Sequence, residues 1–334
     1  MAGTSGSLKS RVLGGLAGAI ALAAASQSHA LTVLGSFDSS ITSLGNAAAV
    51  EASINSALQF YSVFTNPTTV SVLFKVGGGL GGSQTGLYGD TYAGYTGALA
   101  ANAAANPQNA VLQTAIANLA YGNQKPDIAG TSANFRALGY VNTPPAYGSD
   151  GIFGDGDAFD GVISLNTSIM NFTDTVDPSL YPATTVIQHE VDEILGVGGP
   201  GSLVTQPFGA LYMGAEDLYR YSGLHTASFT TDPNATSYFS IDGGATDIRG
   251  FNQGSSGDYA DWVTDCNGAQ FVQDFEGCPG QPQLGLSLSS PEVIGLQAIG
   301  YNLAVPEPSA WALMITGLGM MGAMLRRRRT LAVA

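Results

Sequence analysis

The 334-residue chain has two cysteines, three histidines and only 11 Lys and Arg against 25 Asp and Glu. Each scarcity excludes something. Of the acids only Glu307 lies outside residues 31–304, leaving 24. Of the bases only Lys75, Lys125, Arg136, Arg220 and Arg249 lie inside, leaving five and a net charge near −19 for this span. Such a surface repels phosphate backbones and excludes nucleic-acid binding. It suits cation binding or solubility outside the cell. Cys266 and Cys278 have no second cysteine pair and no nearby histidine to complete a metal site. In an exported protein so close a pair reads as one disulfide closing a small loop. Only His189 and His225 lie beyond the first 30 residues, so any imidazole chemistry falls to these two.

Export is written at the N-terminus. Lys9 and Arg11 precede an apolar run from Val12 to Ala25, and Ser28-His29-Ala30 puts small residues at the −3 and −1 positions of a cleavage site after Ala30. This is the pattern of a secretory signal peptide, with an apolar run too short to span a bilayer comfortably. At the other end Val305-Pro306-Glu307-Pro308-Ser309 leads into an apolar stretch from Ala310 to Leu325, closed by Arg326 to Arg329. Arginines after an apolar span keep that end cytoplasmic. The Pro-Glu-Pro triplet, span and arginine cluster together resemble the PEP-CTERM sorting signal of Gram-negative, biofilm-forming bacteria. The resemblance implies a 305–329 segment held in the inner membrane until an exosortase-type enzyme processes it. Delivery to the cell surface or extracellular matrix follows, with signal peptidase as the other processing partner. Residues 330–334 are a tail.

Between the ends, 31–304 reads as one α+β domain: a helix-and-sheet half to residue 196 and a loop-rich half over 197–304. Helical spacing of Ala49, Ile54, Ala57, Leu58 and Tyr61 predicts a helix within Ser40–Val63. Thr68–Val76 is rich in β-branched residues and reads as a strand. The glycine-rich Gly77–Leu87 reads as a flexible loop, and it lacks the Lys-Ser/Thr ending of a phosphate loop. Two helical pieces are expected over Tyr92–Tyr121, and short strands over Arg136–Val141, Gly161–Leu165 and Ser237–Ile241. Pro182 before and Gly196 after predict a helix from Ala183 to Leu195. A last helix is expected from Pro291 to Ile299, capped by Ser289 or Ser290.

The Ala183–Leu195 helix carries the chemistry. Its sequence Val186-Ile187-Gln188-His189-Glu190-Val191-Asp192-Glu193 begins like the zinc-protease pattern H-E-x-x-H, with Glu193 where the second histidine would stand. Residues four apart on a helix are about 40° from each other, so His189 and Glu193 project side by side. Glu190, about 100° from His189, lies beside the same point without binding there. This is two ligands one turn apart with a carboxylate next to the ion. Replacing His by Glu keeps a ligand oxygen but adds negative charge, which weakens the metal as a Lewis acid. Taken alone the motif also fits an ordinary acidic surface helix.

H-E-x-x-E-x-x-G, with Ala215–Gly223, Tyr238–Asn252 and Gly257–Trp262, resembles a family of PEP-CTERM-bearing proteins assigned as metalloproteases. The resemblance runs from about Gly161 to Leu303. It implies a metzincin-like fold, a twisted mixed sheet packed on an active-site helix, with Val162–Asn166 as the edge along which an extended peptide substrate lies. It also implies a zinc metalloendopeptidase. The third metzincin ligand, ten residues after the first, falls on Gly199, which has no side chain. Asp217 is the first choice to replace it, with Glu216 beside it and His225 farther on. Zinc at His189, Glu193 and Asp217, Glu190 as general base, and Tyr219, Arg220 or Tyr221 at the oxyanion complete the expected scheme. With one histidine and two carboxylates, manganese or iron would fit as well.

Two further readings stand beside it. Asp150, Asp155, Asp157 and Asp160 lie in a glycine-rich run that suits calcium, though not at EF-hand spacing. The alternative to an enzyme is a non-catalytic matrix or surface protein that keeps a degenerate protease fold. Carbohydrate binding through an exposed aromatic such as Trp262 is a weaker variant of that alternative.

Overall fold

Four strands make the main sheet, in the order β1 (Thr32–Phe37), β2 (Thr69–Val76), β6 (Gly161–Leu165) and β3 (Gly81–Thr85). In the computed structural model, which describes residues 30–119, 126–203, 212–228, 232–254, 257–304 and Thr316, β1, β2 and β6 run parallel. The edge strand β3 runs antiparallel to β6. Val70, Val72 and Phe74 of β2 alternate toward one face and are fully buried, as period-2 patterning requires of a central strand.

Two expectations are corrected here. The segment Gly77–Leu87 is not simply a loop, because Gly81–Thr85 forms the sheet's edge. Val162–Asn166 is not an edge, because β6 is paired on both sides. Composition hid β3: four of its five residues are Gly, Ser or Thr, and none is a large apolar residue. The reason for one glycine is steric. A Cβ on Gly81 would collide with the Glu190 carboxylate and with Val186. The strand can approach the helix because it has no side chain there.

The first helical region breaks into α1 (Ser39–Thr42), capped by the Asp38 carboxylate, and α2 (Ala47–Gln59), which continues as a short 3-10 turn. Strand β4 (Leu87–Asp90) is followed by α3 (Tyr92–Ala105) and α4 (Ala110–Ala117), the two expected pieces. Next come β5 (Asp127–Thr131) and α5 (Ser132–Ala137). Arg136 and Ala137 are therefore helical, against the strand expected over Arg136–Val141. The Thr131 hydroxyl caps α5 by accepting from Asn134 N, and that cap overrides the β-like composition beyond it.

After the two-residue pair β7 (Met170–Asn171) and β8 (Tyr181–Pro182), helix α6 covers Ala183–Leu195 and ends on Gly196 at φ 107°, a left-handed cap that glycine adopts without strain. The loop-rich half contributes β9 (Tyr212–Gly214), which joins β5, and a small sheet of β10 (Arg220–Gly223), β11 (Thr226–Ala227), β12 (Tyr238–Phe239) and β13 (Arg249–Gly250). Helix α7 spans Pro291–Ala298 after Ser290. Cys266 and Cys278 form a disulfide.

Both halves share one core, in which Ile54, Phe74 and Ile187 belong to the same buried cluster as Phe239, Trp262 and Leu296. Trp262 is fully buried, its indole N–H donating to Glu292 Oε1 at 3.1 Å, so it offers no exposed platform for a sugar. The first and last residues of the domain meet at Phe64. Leu31 N donates to Phe64 O, Phe64 bridges Leu303, and Ala304 N donates to Val63 O. The signal peptide and the C-terminal span lie outside the described residues, apart from Ala30 and Thr316.

Candidate metal centre

Helix α6 is pinned so that one face looks into a groove. Ile187, Val191, Ile194 and Leu195 are buried in the core. Gln188 reaches back to Ala57 O and accepts from Leu286 N, while Tyr61 O–H bonds to Asp192 Oδ1 at 2.8 Å. That leaves His189, Glu190 and Glu193 on the groove side. The groove has a volume of about 450 Å³ and runs between β3 and the segment 270–278.

Three side chains converge there. His189 Nε2 lies 3.5 Å from Glu193 Oε1 and 3.6 Å from Asp261 Oδ2. Among the described residues this is the group of three metal-ligating side chains that the fold gathers, with all donor atoms within 4.8 Å of one another. Tetrahedral zinc bonds of about 2.0–2.2 Å set donor atoms roughly 3.4 Å apart, so the spacing fits such an ion with only small shifts.

The surroundings orient each donor. His189 Nδ1 lies 3.0 Å from Val272 O, which places a proton on that nitrogen and turns Nε2 toward the two carboxylates. Asp261 Oδ1 accepts from Gly199 N at 2.8 Å and Gln273 Nε2 at 2.9 Å, turning Oδ2 toward the histidine. Glu193 Oε2 accepts from the Ser83 hydroxyl at 2.5 Å.

The buried charges work on one another strongly. Burial works to lower the His189 imidazole, but Asp261, Glu193 and Glu190 overcome it and hold it well above its ordinary range. Burial, then Glu193, push Glu190 well above the usual carboxylate range. Burial likewise raises Asp261, to about 7, with Glu193 adding to it against the pull of His189. Buried acids around one imidazole are the environment that a divalent ion stabilises, so the residues present fit a metal.

The structure does not bring Asp217 to this point. Its carboxylate is buried against Arg220 Nη1 at 3.2 Å and accepts from Ser202 N and the Ser202 hydroxyl, both at 2.6 Å. Glu216 Oε2 instead holds Gly198 N at 2.7 Å, bracing the turn after α6. His225 sits exposed between β10 and β11 at φ 53°. The three oxyanion candidates also turn inward. Tyr219 O–H donates to Ala298 O, Tyr221 O–H donates to Asn118 O, and Arg220 lies between the rings of Phe251 and Tyr259. In the aspartate-rich loop Asp160 is buried on Arg136 at 2.6 Å, and Asp150 accepts from Ile152 N, so those acids do not gather around a common point.

Asp261 is the residue sequence reasoning missed. It stands 68 positions after Glu193, where no helical spacing applies. The one sequence signal for it is its place in the acidic Gly257–Trp262 segment.

Residues 304–329 match the PEP-CTERM protein-sorting motif. No curated protein and no solved structure matches the chain. The chain is an exported protein whose C-terminal sorting signal anchors it in a membrane before exosortase processing.

Proposed function

We propose that the domain is a zinc-dependent endopeptidase acting outside the cell, at the surface or in the matrix of a Gram-negative bacterium. The observation that supports this most is the convergence of His189, Glu193 and Asp261 beside Glu190, along an open sheet edge. Asp261 takes the place expected of Asp217. Among the described residues β3 pairs only with β6, and its other side borders the groove, where backbone N–H and C=O groups could receive an extended peptide as a further strand. An edge strand lying across the helix that bears the ligands also supports the metzincin-like reading of the fold.

When bound, zinc supplies Lewis-acid activation of water and of the scissile carbonyl. The rest is the work of the chain. His189, Glu193 and Asp261 would hold the ion. Glu190, buried beneath Gly81, takes a proton from the attacking water on its carboxylate and returns it to the leaving amine nitrogen.

The test is elemental analysis of the purified full chain after dialysis, beside His189→Ala, with peptide hydrolysis measured for Glu190→Gln. One zinc per chain, none in the first variant and lost turnover in the second are expected. If the parent holds no transition metal even after zinc is supplied, the enzyme reading falls. The non-catalytic matrix protein then takes its place.

A further inference from the structure

We propose that Ser83 is a positioning residue that makes Glu193 work as a one-oxygen ligand in the place of a histidine. The inference rests on the metal-site reading above. A histidine ligand offers a metal one nitrogen, whereas a glutamate brings two oxygens and a full charge. Left alone, both oxygens can close on the ion, raising its coordination number and filling a position that catalysis needs open. In this protein the two oxygens have separate partners. Oε1 faces His189 Nε2 at 3.5 Å, and Oε2 accepts the Ser83 hydroxyl at 2.5 Å.

The bond is built into the register between strand and helix. Gly81 and Ser83 are two apart on β3 and share a face, about 6.6 Å from each other. Glu190 and Glu193 are three apart on α6, about 4.5 Å along its axis. Gly81 gives way to the Glu190 carboxylate, and Ser83 meets the Glu193 carboxylate, so a single strand register serves both acids. A hydroxyl donating to an ionised oxygen makes a short, strong bond. It also draws electron density from the carboxylate, offsetting part of the extra negative charge that distinguishes Glu from His at this position. Ser83 is thus matched to glutamate, since a histidine at 193 would have no second acceptor for it.

The test uses the full chain, its Ser83→Ala and Ser83→Thr variants, and zinc affinity by competition with a chromophoric chelator. Ser83→Ala is expected to weaken zinc binding about 10–100-fold, the usual effect of losing an outer partner of a ligand. Ser83→Thr, which keeps the hydroxyl, should restore it. With cobalt(II) in place of zinc, the visible absorption of Ser83→Ala should lose intensity as Glu193 closes on the ion with both oxygens, and Ser83→Thr should keep the parent spectrum. In a Glu193→His background, Ser83→Ala should change neither readout. If the parent binds no metal, the metal-site reading falls and takes this inference with it. If the parent binds zinc but Ser83→Ala matches it in affinity and in cobalt spectrum, the role of Ser83 alone is overturned.

Discussion

Gly199 donates its backbone N–H to Asp261 Oδ1 at 2.8 Å. The position ten residues beyond His189 therefore offers no side chain of its own and instead orients the Asp261 carboxylate, whose other oxygen faces His189. Gly199 is at φ 73°, a conformation that favours glycine, and a Cβ there would stand 3.5 Å from the Glu193 carboxyl. Any larger residue would strain the turn, although its Cβ would meet the Glu193 carboxyl at ordinary van der Waals distance.

Asp261 and Asp217 should separate cleanly. Asp261→Ala is expected to abolish tight zinc binding while leaving a folded protein. Asp217→Ala should retain zinc but lose about 3–5 kcal/mol of stability, because it strands the buried Arg220. Elemental analysis and chemical denaturation of the two variants decide this. Loss of zinc from Asp217→Ala in a protein that still melts cooperatively would return the ligand role to Asp217.

Gly81→Ala should disconnect metal from activity. The new methyl would occupy the space of Glu190 Oε1 and push the general base out of line, while His189, Glu193 and Asp261 stay in place. We expect a full complement of zinc and peptide hydrolysis reduced about 100-fold, in line with the cost of misplacing a reacting group by about 1 Å. Paired metal and rate measurements on one preparation test it.

The groove should favour cationic peptides. Glu190, Glu193, Asp258, Asp261, Asp274 and Glu276 line it, with no Lys or Arg among its lining residues. A bound ion offsets part of that charge, and Asp258 and the exposed Glu276 remain. Peptides with Lys or Arg near the cleaved bond should show kcat/KM values about tenfold higher than acidic ones, a preference that fades as salt is raised. Asp258→Lys should reduce the preference. A peptide library at two ionic strengths measures both.

Metal-free protein should be more stable at pH 5 than at pH 8. Burial pushes Asp274 up to about 6, in spite of its Arg249 partner, and raises Glu216 and Glu292 as well. Above their unfolded-state values these groups bind more protons folded than unfolded, so stability falls as pH rises through the folded values. For Asp274 alone the difference is on the order of 3 kcal/mol between about pH 4 and pH 7. Thermal unfolding with chelator present, across that range, should show the midpoint falling toward alkaline pH. A midpoint that rises instead would contradict the assignment.

Helix α6 was legible because everything that defines it is local: Pro182 before it, Gly196 after it, and a spacing that puts His189 and Glu193 on one face. Strand β3 was not legible, because its glycine serves a contact with a helix about 110 residues later rather than any strand propensity of its own. Asp217 looked like a ligand because an acid before Tyr219-Arg220-Tyr221 had no visible structural duty. Its duty is a buried ion pair with Arg220, three residues on, and burial is what a sequence shows least well. Asp261 depends on a turn at Gly199 and on Gln273, both distant in the chain, so only the folded arrangement identifies it.

The meeting of the domain's two ends at Phe64 bears on how the protein stands before it is released. Leu303 and Ala304 leave the fold beside Leu31, where β1 begins, and β1 is the far margin of the sheet whose opposite margin is β3. Three strand spacings, about 14 Å, separate those margins. Ala304, after which the sorting segment continues, therefore lies at the opposite margin of the sheet from the strand that borders the cleft. In a precursor the point where the sorting segment joins the fold is thus on the margin that does not border the cleft.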